Sequence, residues 1–438
     1  MSKLSLSNRR ASRVPFSLSK PRSQLLCLWL GWLVVLLTFQ VLVAGRFKPM
    51  RPDQALPWTA SRTQAFVSAS EHRYTDAGFL AGHIAWDSDF YLSIACYGYD
   101  DARVGVIVPP DDTQTQTTNQ SKPLSLNYAF LPLYPLAIRL VSVPIGLFLS
   151  QAQAAVAAGI LISVLGSLIA TLSLYELCKQ DIGESGGQRA AYYFLIFPTA
   201  FFLAQVYTEA LFLALAYTAL LYARKERYGV AGVLAAFAVL SRPTGAALAL
   251  SLLLFAVNTL KLVTNDTTRN QSRNRFSALP ATVLASLPIV VFAAWHFSYL
   301  GRNFAVVQSS YFGTSTFDLQ RMLPAIEEVS NNFVNGPAAT KSYYLLDLFA
   351  LVLAVVSCFR TRLTSPDLFV FSALSLALPL FSGLNHSYMR YVLAAPSIYV
   401  YLATKGQGSE WFDRCWSLLS ILLLGMLTTL FTFDFWVG

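Results

Sequence analysis

From Leu25 to the C-terminus the sequence repeats one unit, an apolar run followed by a short polar break. Runs of roughly 17 to 25 residues, wound as helices, are long enough to cross a hydrocarbon core of about 30 Å. The first is LLCLWLGWLVVLLTFQVLVAG, residues 25–45. Further windows fall near 150–178, 189–205, 207–223, 228–241, 243–263, 277–300, 343–360, 366–383, 388–404 and 415–436. This predicts an all-α polytopic membrane protein of about 11 spans. A single transmembrane domain covers 24–438 and follows a basic segment, residues 1–23.

Two long polar stretches interrupt the repeat. Residues 45–125 form a large first outer loop and residues 301–342 a second. Inside the first, AWDSDFYLSIACYGY keeps Trp86, Phe90, Tyr91, Ile94 and Tyr97 at spacings of three and four. That spacing predicts an amphipathic helix lying in the membrane interface. The tail DDTQTQTTNQSKP is polar and reads as flexible. Residues 127–150 carry Pro132, Pro135 and Pro144, which predicts a broken, re-entrant or interfacial segment.

Composition agrees with the pattern. The chain is 55% hydrophobic and only 13% charged, with a mean hydropathy of +0.49. The first 22 residues hold six cations (Lys3, Arg9, Arg10, Arg13, Lys20, Arg22) and no acid, which sets the N-terminus in the cytoplasm. The 21-residue first run exceeds a signal-peptide core of about 7 to 15 residues, so an uncleaved first span is expected. Further cations gather at 222–228, 261–276, 360–362 and 405–414, loops that can all be cytoplasmic together. The net charge of +9 is then topological, and nucleic acid is not a partner. Cys27, Cys96, Cys178, Cys358 and Cys415 are scattered without CxxC spacing, so neither a metal cluster nor a disulfide framework is suggested. No internal repeat is visible.

Ionisable groups at membrane depth cost roughly 2.5 to 3.5 kcal/mol each, which makes them functional candidates. Asp87 and Asp89 head them, followed by Arg139, Glu209, Arg242, His386 and Arg390. On a regular helical turn residues two apart point about 200° from one another, so one of the acids would face a site. An irregular turn would let both approach a divalent cation. The alternative is structural: Asp87 or Ser88 as an N-cap. The arginines suit phosphate, because a guanidinium offers a planar fork of donors and keeps its charge in apolar surroundings. Arg242 and Arg390 read equally as snorkelling to lipid headgroups, Glu209 as their structural partner, and His386 as a polar loop residue.

Five stretches in order, WDSDFYLSIACYGY, FLPLYPLAIRL, FPTAFFLAQVYTEALFLALAYTALL, LAAFAVLSRPTG and SYMRYVL, resemble the PIG-V-like family of integral membrane mannosyltransferases, over about residues 80–400. That family comprises GPI mannosyltransferase 2 and bacterial relatives, within the GT-C glycosyltransferase superfamily. The resemblance implies a GT-C-type fold whose large first extracytoplasmic loop carries interfacial helices. It implies a polyprenyl-phosphate-linked sugar donor, a lipid or glycan acceptor and mannose as the sugar. Trp86 and Asp87 match the family's tryptophan-aspartate pair, which implies Asp87 as catalytic carboxylate, with Asp89 giving a DxD-like look. Trp86, Arg139, Glu209, Arg242, His386 and Arg390 become candidate substrate-binding residues. No cofactor is expected; a divalent metal is possible but not favoured, since a phosphate-linked donor carries less charge than a nucleotide diphosphate.

The expected place is a membrane, the bacterial inner membrane or the endoplasmic reticulum of a eukaryote, with the active site on the extracytoplasmic or lumenal side. In a lumen the sequons at Asn119 and Asn385 would matter. Competing readings are a lipid or sugar transporter and a non-catalytic subunit of a glycan assembly complex. A transporter would set its charges on broken helices at the bilayer midplane.

Overall fold

The computed structural model describes residues 20–47, 52–64, 74, 78–108, 123–255, 283–315, 318–383 and 386–438. The N-terminal cations up to Arg13, the DDTQTQTTNQS tail, the basic 261–276 loop and both sequon asparagines lie outside them.

Apolar periodicity becomes helix nearly throughout. Four helices among the described residues are long and apolar enough to cross a membrane: Pro21–Arg46, Gln151–Leu195, Ala338–Thr361 and Glu410–Thr432. Five shorter apolar helices accompany them: Leu133–Ile145, Tyr228–Ser241, Pro243–Phe255, Leu287–His296 and Pro366–Phe381. The first eight helices are α1 (Lys20–Arg46), α2 (Pro57–Gln64), α3 (Gly78–Ala81), α4 (Asp87–Tyr97), α5 (Leu133–Ile145), α6 (Gln151–Leu195), α7 (Glu209–Arg224) and α8 (Tyr228–Ser241). Several expected windows are split. Residues 277–300 yield Leu287–His296 and then Tyr299–Ser310, and residues 388–404 yield Tyr388–Val392 and then Pro396–Gly408.

α6 holds the core together. It breaks at Ile182 and Gly183, where Gly183 takes φ 76°, a conformation costly to any residue with a Cβ. α6 packs on α1, α5 and α7, and the Pro396–Gly408 helix lies against it as well. Close approach relies on small residues: a Cβ at Gly166 would come within 2.8 Å of the Ala210 backbone on α7. Outward faces stay apolar, as with Val34, Val35 and Leu42 on α1, in keeping with a lipid surround.

The first loop departs from expectation in one respect. α4 does not lie on a surface. Phe90, Tyr91, Leu92, Ser93, Ile94 and Ala95 are all buried, and only Tyr97 is exposed. The helix is enclosed by α5, α6 and the 3-10 turn Leu126–Ala129. Its small polar positions have partners inside: Ser88 donates to the Val206 carbonyl at 3.0 Å, and Ser93 to Asp101 at 2.7 Å. A two-stranded antiparallel ribbon, Val106–Ile107 with Leu124–Ser125, closes the loop. α5 is the short segment expected between residues 127 and 150, with Leu136, Leu140 and Val143 exposed along one side.

The two ends of the bundle differ in chemistry. At one end Arg22 pairs with Glu176 at 2.7 Å, and Arg189 donates to the Gly406 carbonyl at 2.8 Å. There Arg224 grips two carboxylates, Asp181 and Asp367, through four bonds of 2.8 to 3.0 Å. Ser365 adds a bond to Asp181 at 2.6 Å. The described basic loops thus gather at this end. Glu209 opens α7 and Arg224 ends it, so these two groups stand roughly 22 Å apart along the axis at about 1.5 Å per residue.

Removing the central cation leaves two nearly buried carboxylates uncompensated. Arg224→Met is expected to destabilise the protein by about 3 to 5 kcal/mol, read as a lower melting temperature in detergent. Adding Asp181→Asn and Asp367→Asn to that variant should restore most of the loss.

Candidate active site

Four chain segments meet at the opposite end. Asp87 is the first residue of α4, Glu209 the first of α7, Arg242 follows α8, and Arg390 sits in the five-residue helix Tyr388–Val392. Together they form one row. Arg390 donates from Nη1 to Asp87 Oδ2 at 2.6 Å and from Nε to Glu209 Oε1. Arg242 donates to the same Glu209 oxygen and approaches Thr208 Oγ1 at 3.4 Å. Glu209 is 3% exposed, whereas the Asp87 side chain keeps 21% of its surface open. The acid at the end of the row is therefore the accessible one.

Aromatic rings enclose the guanidinium groups. Arg390 stands 4.6 Å over the Tyr207 ring and Arg242 5.1 Å over that of Tyr391, contacts that favour a cation out of water. A narrow cleft runs beside the row, bounded by Glu209, Arg242, Thr244, Ser375, Arg390 and Tyr391.

Backbone strain marks the approach to Asp87. Trp86 has φ 52°, a left-handed value that is costly for so bulky a residue. Its ring is locked by neighbours, edge-on to Trp436 at 4.9 Å and to Trp58 at 5.7 Å. His386 closes the same aromatic box against Trp58 and Trp436. Its apolar setting pushes the imidazole down to about 4, a shift the Asp87 charge partly opposes. His386 is thus neutral near pH 7 and is no cation for a phosphate.

Not every sequence candidate joins the row. Arg139 reaches the end of α4 instead, donating to the Ala95 carbonyl at 2.7 Å and the Ile94 carbonyl at 3.2 Å. It caps a helix C-terminus, where a cation meets the negative end of the dipole. Asp89 does not join the row of ion pairs: it follows Asp87 by two residues, about 200° around a helical turn, and its carbonyl accepts from the Tyr74 hydroxyl at 3.0 Å. The N-cap expectation does not hold: Trp86 is the N-cap residue of α4 and no side chain caps the helix, Ser88 Oγ accepting the Ala85 N–H ahead of it at 3.2 Å and Asp87 facing Arg390. Among the described residues no three His, Cys, Asp or Glu side chains group as metal ligands.

Sequence reasoning passed over Trp58, Trp436 and Asp347. The last was findable, as the one acid inside the 343–360 window. Trp436, in the final three residues, gives no pattern to read.

Residues 115–318 match the family model described as Mannosyltransferase (PIG-V). The resemblance carried by the sequence motifs holds over that segment. No curated protein matches the chain. Among solved structures, the Archaeoglobus fulgidus oligosaccharyltransferase in complex with zinc and sulfate is similar at 12% identity and a TM-score of 0.43, over 92% of this chain and 53% of that one. Its apo form gives 11%, 0.46, 92% and 56%. AglB from the same organism, with an inhibitory peptide and a dolichol-phosphate, gives 14%, 0.39, 92% and 55%. The chain spans little more than half the length of these proteins.

A buried histidine braces the site from behind. His83 Nδ1 meets Gln205 Oε1 at 2.8 Å, and Gln205 in turn donates to Gln40 of α1 at 3.2 Å. Burial pushes His83 down to about 4, against the Gln205 bond, which raises it. The sign follows: the unfolded chain binds the proton first, so stability is full above pH 6.5 and falls as pH drops towards 4. Melting temperature measured from pH 8 to 4 should decline over that window, and His83→Gln should flatten the decline.

Proposed function

We propose that this chain is a membrane glycosyltransferase that moves a sugar, mannose by its family, from a polyprenyl-phosphate donor to a lipid or glycan hydroxyl. One observation carries the reading. A partly open carboxylate, Asp87, ends a buried row of guanidinium groups in a chain whose middle matches a mannosyltransferase family.

The step balances without a covalent sugar-enzyme intermediate. Asp87 takes the proton of the acceptor hydroxyl as its oxygen bonds to the anomeric carbon. The bond from that carbon to the phosphate oxygen breaks on the far side, and polyprenyl phosphate departs with the electron pair. Configuration inverts. Arg390 and Arg242 are the cations that would stabilise the departing anion in this reading. Asp89, on another face of α4, is a secondary candidate, and Trp86 with His386 would border the sugar. In this reading arginines serve in place of a metal ion, and the fold is of GT-C type.

The sidedness of the reading comes from charge. Arg22, Arg189, Arg224 and the 405–414 segment share the end opposite Asp87. A basic end in the cytoplasm sets the Asp87 row at the extracytoplasmic or lumenal surface. The apolar outer faces fit an integral membrane protein among lipids.

Purified protein supplied with radiolabelled polyprenyl-phosphate mannose and a membrane lipid extract is expected to consume the donor. Asp87→Asn should lower the rate by about 100- to 10,000-fold, the worth of a general base, in a variant that still folds, with a melting temperature lowered by the lost charge of the Arg390 pair. Undiminished transfer by that variant sinks the assignment of Asp87.

A further inference from the structure

Arg390 needs an anchor, because its helix is only five residues long and follows a left-handed residue, Ser387 at φ 71°. Its support comes from the membrane-spanning helix Ala338–Thr361. Tyr343 and Asp347 lie four residues apart there, on one face. The Tyr343 hydroxyl accepts the Ser387 N–H at 2.8 Å, and Asp347 Oδ1 accepts the Met389 N–H at 2.6 Å. From the other side Thr199 donates to the Met389 carbonyl at 3.0 Å. The backbone on the N-terminal side of Arg390 is thereby pinned.

Asp347 is an expensive way to hold two backbone N–H groups, those of Tyr388 and Met389. It is 2% exposed, sits near the middle of an apolar span, and its Oδ2 has no partner among the described residues. An intramembrane acid held at that cost is a functional candidate. We infer that Asp347 is a positioning residue: it fixes the turn that aims the Arg390 guanidinium at Asp87 and Glu209. This rests on the reading of Asp87 and Arg390 as the reacting end of the site.

Two double-mutant cycles in the full chain test it. The first reads kcat for consumption of polyprenyl-phosphate mannose. Asp347→Leu, close in size but without an acceptor, is expected to lower kcat about 100-fold, as a displacement near 1 Å does. Asp347→Asn keeps an acceptor oxygen and should rescue most of that loss. Added to Arg390→Ala, Asp347→Leu should cost little more, because both act through one group. Losses that multiply in the double variant overturn the inference.

The second cycle needs no activity. Asp87→Asn and Arg390→Ala should be coupled in melting temperature in the wild-type background and uncoupled once Asp347→Leu is present. Coupling that persists unchanged overturns the inference. Coupling that vanishes in a protein whose wild type consumes no donor upholds the positioning role and removes the glycosyltransferase reading. Should the leucine variant fail to fold, Tyr343→Phe replaces it in both cycles, since it frees the same turn by removing the hydroxyl that accepts the Ser387 N–H and also meets Trp436.

Discussion

The interaction on which the rest depends is the row Asp87, Arg390, Glu209, Arg242. Each of these groups loses water when it enters the fold, and an ion taken from water to a protein interior costs several kcal/mol even after relaxation. The row repays this by sharing. One Glu209 oxygen serves two guanidinium groups, and Arg390 serves two carboxylates. A hydrophobic replacement of the set could pack as stably, so stability alone does not account for its presence. What the row supplies is registry: segments 303 residues apart in sequence are brought within one hydrogen-bonded chain.

That registry is held from a distance. α7 begins at Glu209 and ends at Arg224, so a single rigid helix joins the row to the lock on Asp181 and Asp367. Neither end can shift along the axis without breaking charge-assisted bonds at the other. The close approach of α6, which a Cβ at Gly166 would prevent, braces the helix between them. From the far side the pinned turn beside Arg390 completes the frame. Strain at Trp86 is tolerable in that setting, because the indole is fixed between Trp58 and Trp436 and the backbone has nowhere to relax.

Much of this was legible in the chain. The windows at 228–241 and 366–383 coincide closely with Tyr228–Ser241 and Pro366–Phe381, because arginine, proline and glycine punctuate them sharply. Glu209, Arg242 and Arg390 were readable as candidates since charge is rare at such depth. Other features were not readable for physical reasons. α4 seemed amphipathic because Trp86, Phe90, Tyr91, Ile94 and Tyr97 recur at spacings of three and four, yet the polar Ser88 and Ser93 between them each find an acceptor inside. Arg139 has the same donors as Arg390, and only the fold decides that they meet helix carbonyls. The Trp58, Trp436 and His386 box joins residues from the two ends of the chain, a contact that periodicity cannot encode.

The row also has a charge property suited to the chemistry proposed for it. With both acids ionised its formal charge is zero, two guanidinium cations against Asp87 and Glu209. A neutral row spares the resting site a large uncompensated charge in apolar surroundings. If, as proposed, Asp87 took a proton from an acceptor, the row would become a net cation at the moment a phosphate leaving group gained negative charge. Arg390 touches both carboxylates, so it is the group through which that change would be felt first, freed from Asp87 while still tethered to Glu209. Stabilisation would then grow along the reaction and be absent in the ground state, which is the condition for an interaction to accelerate a reaction rather than merely bind its substrate.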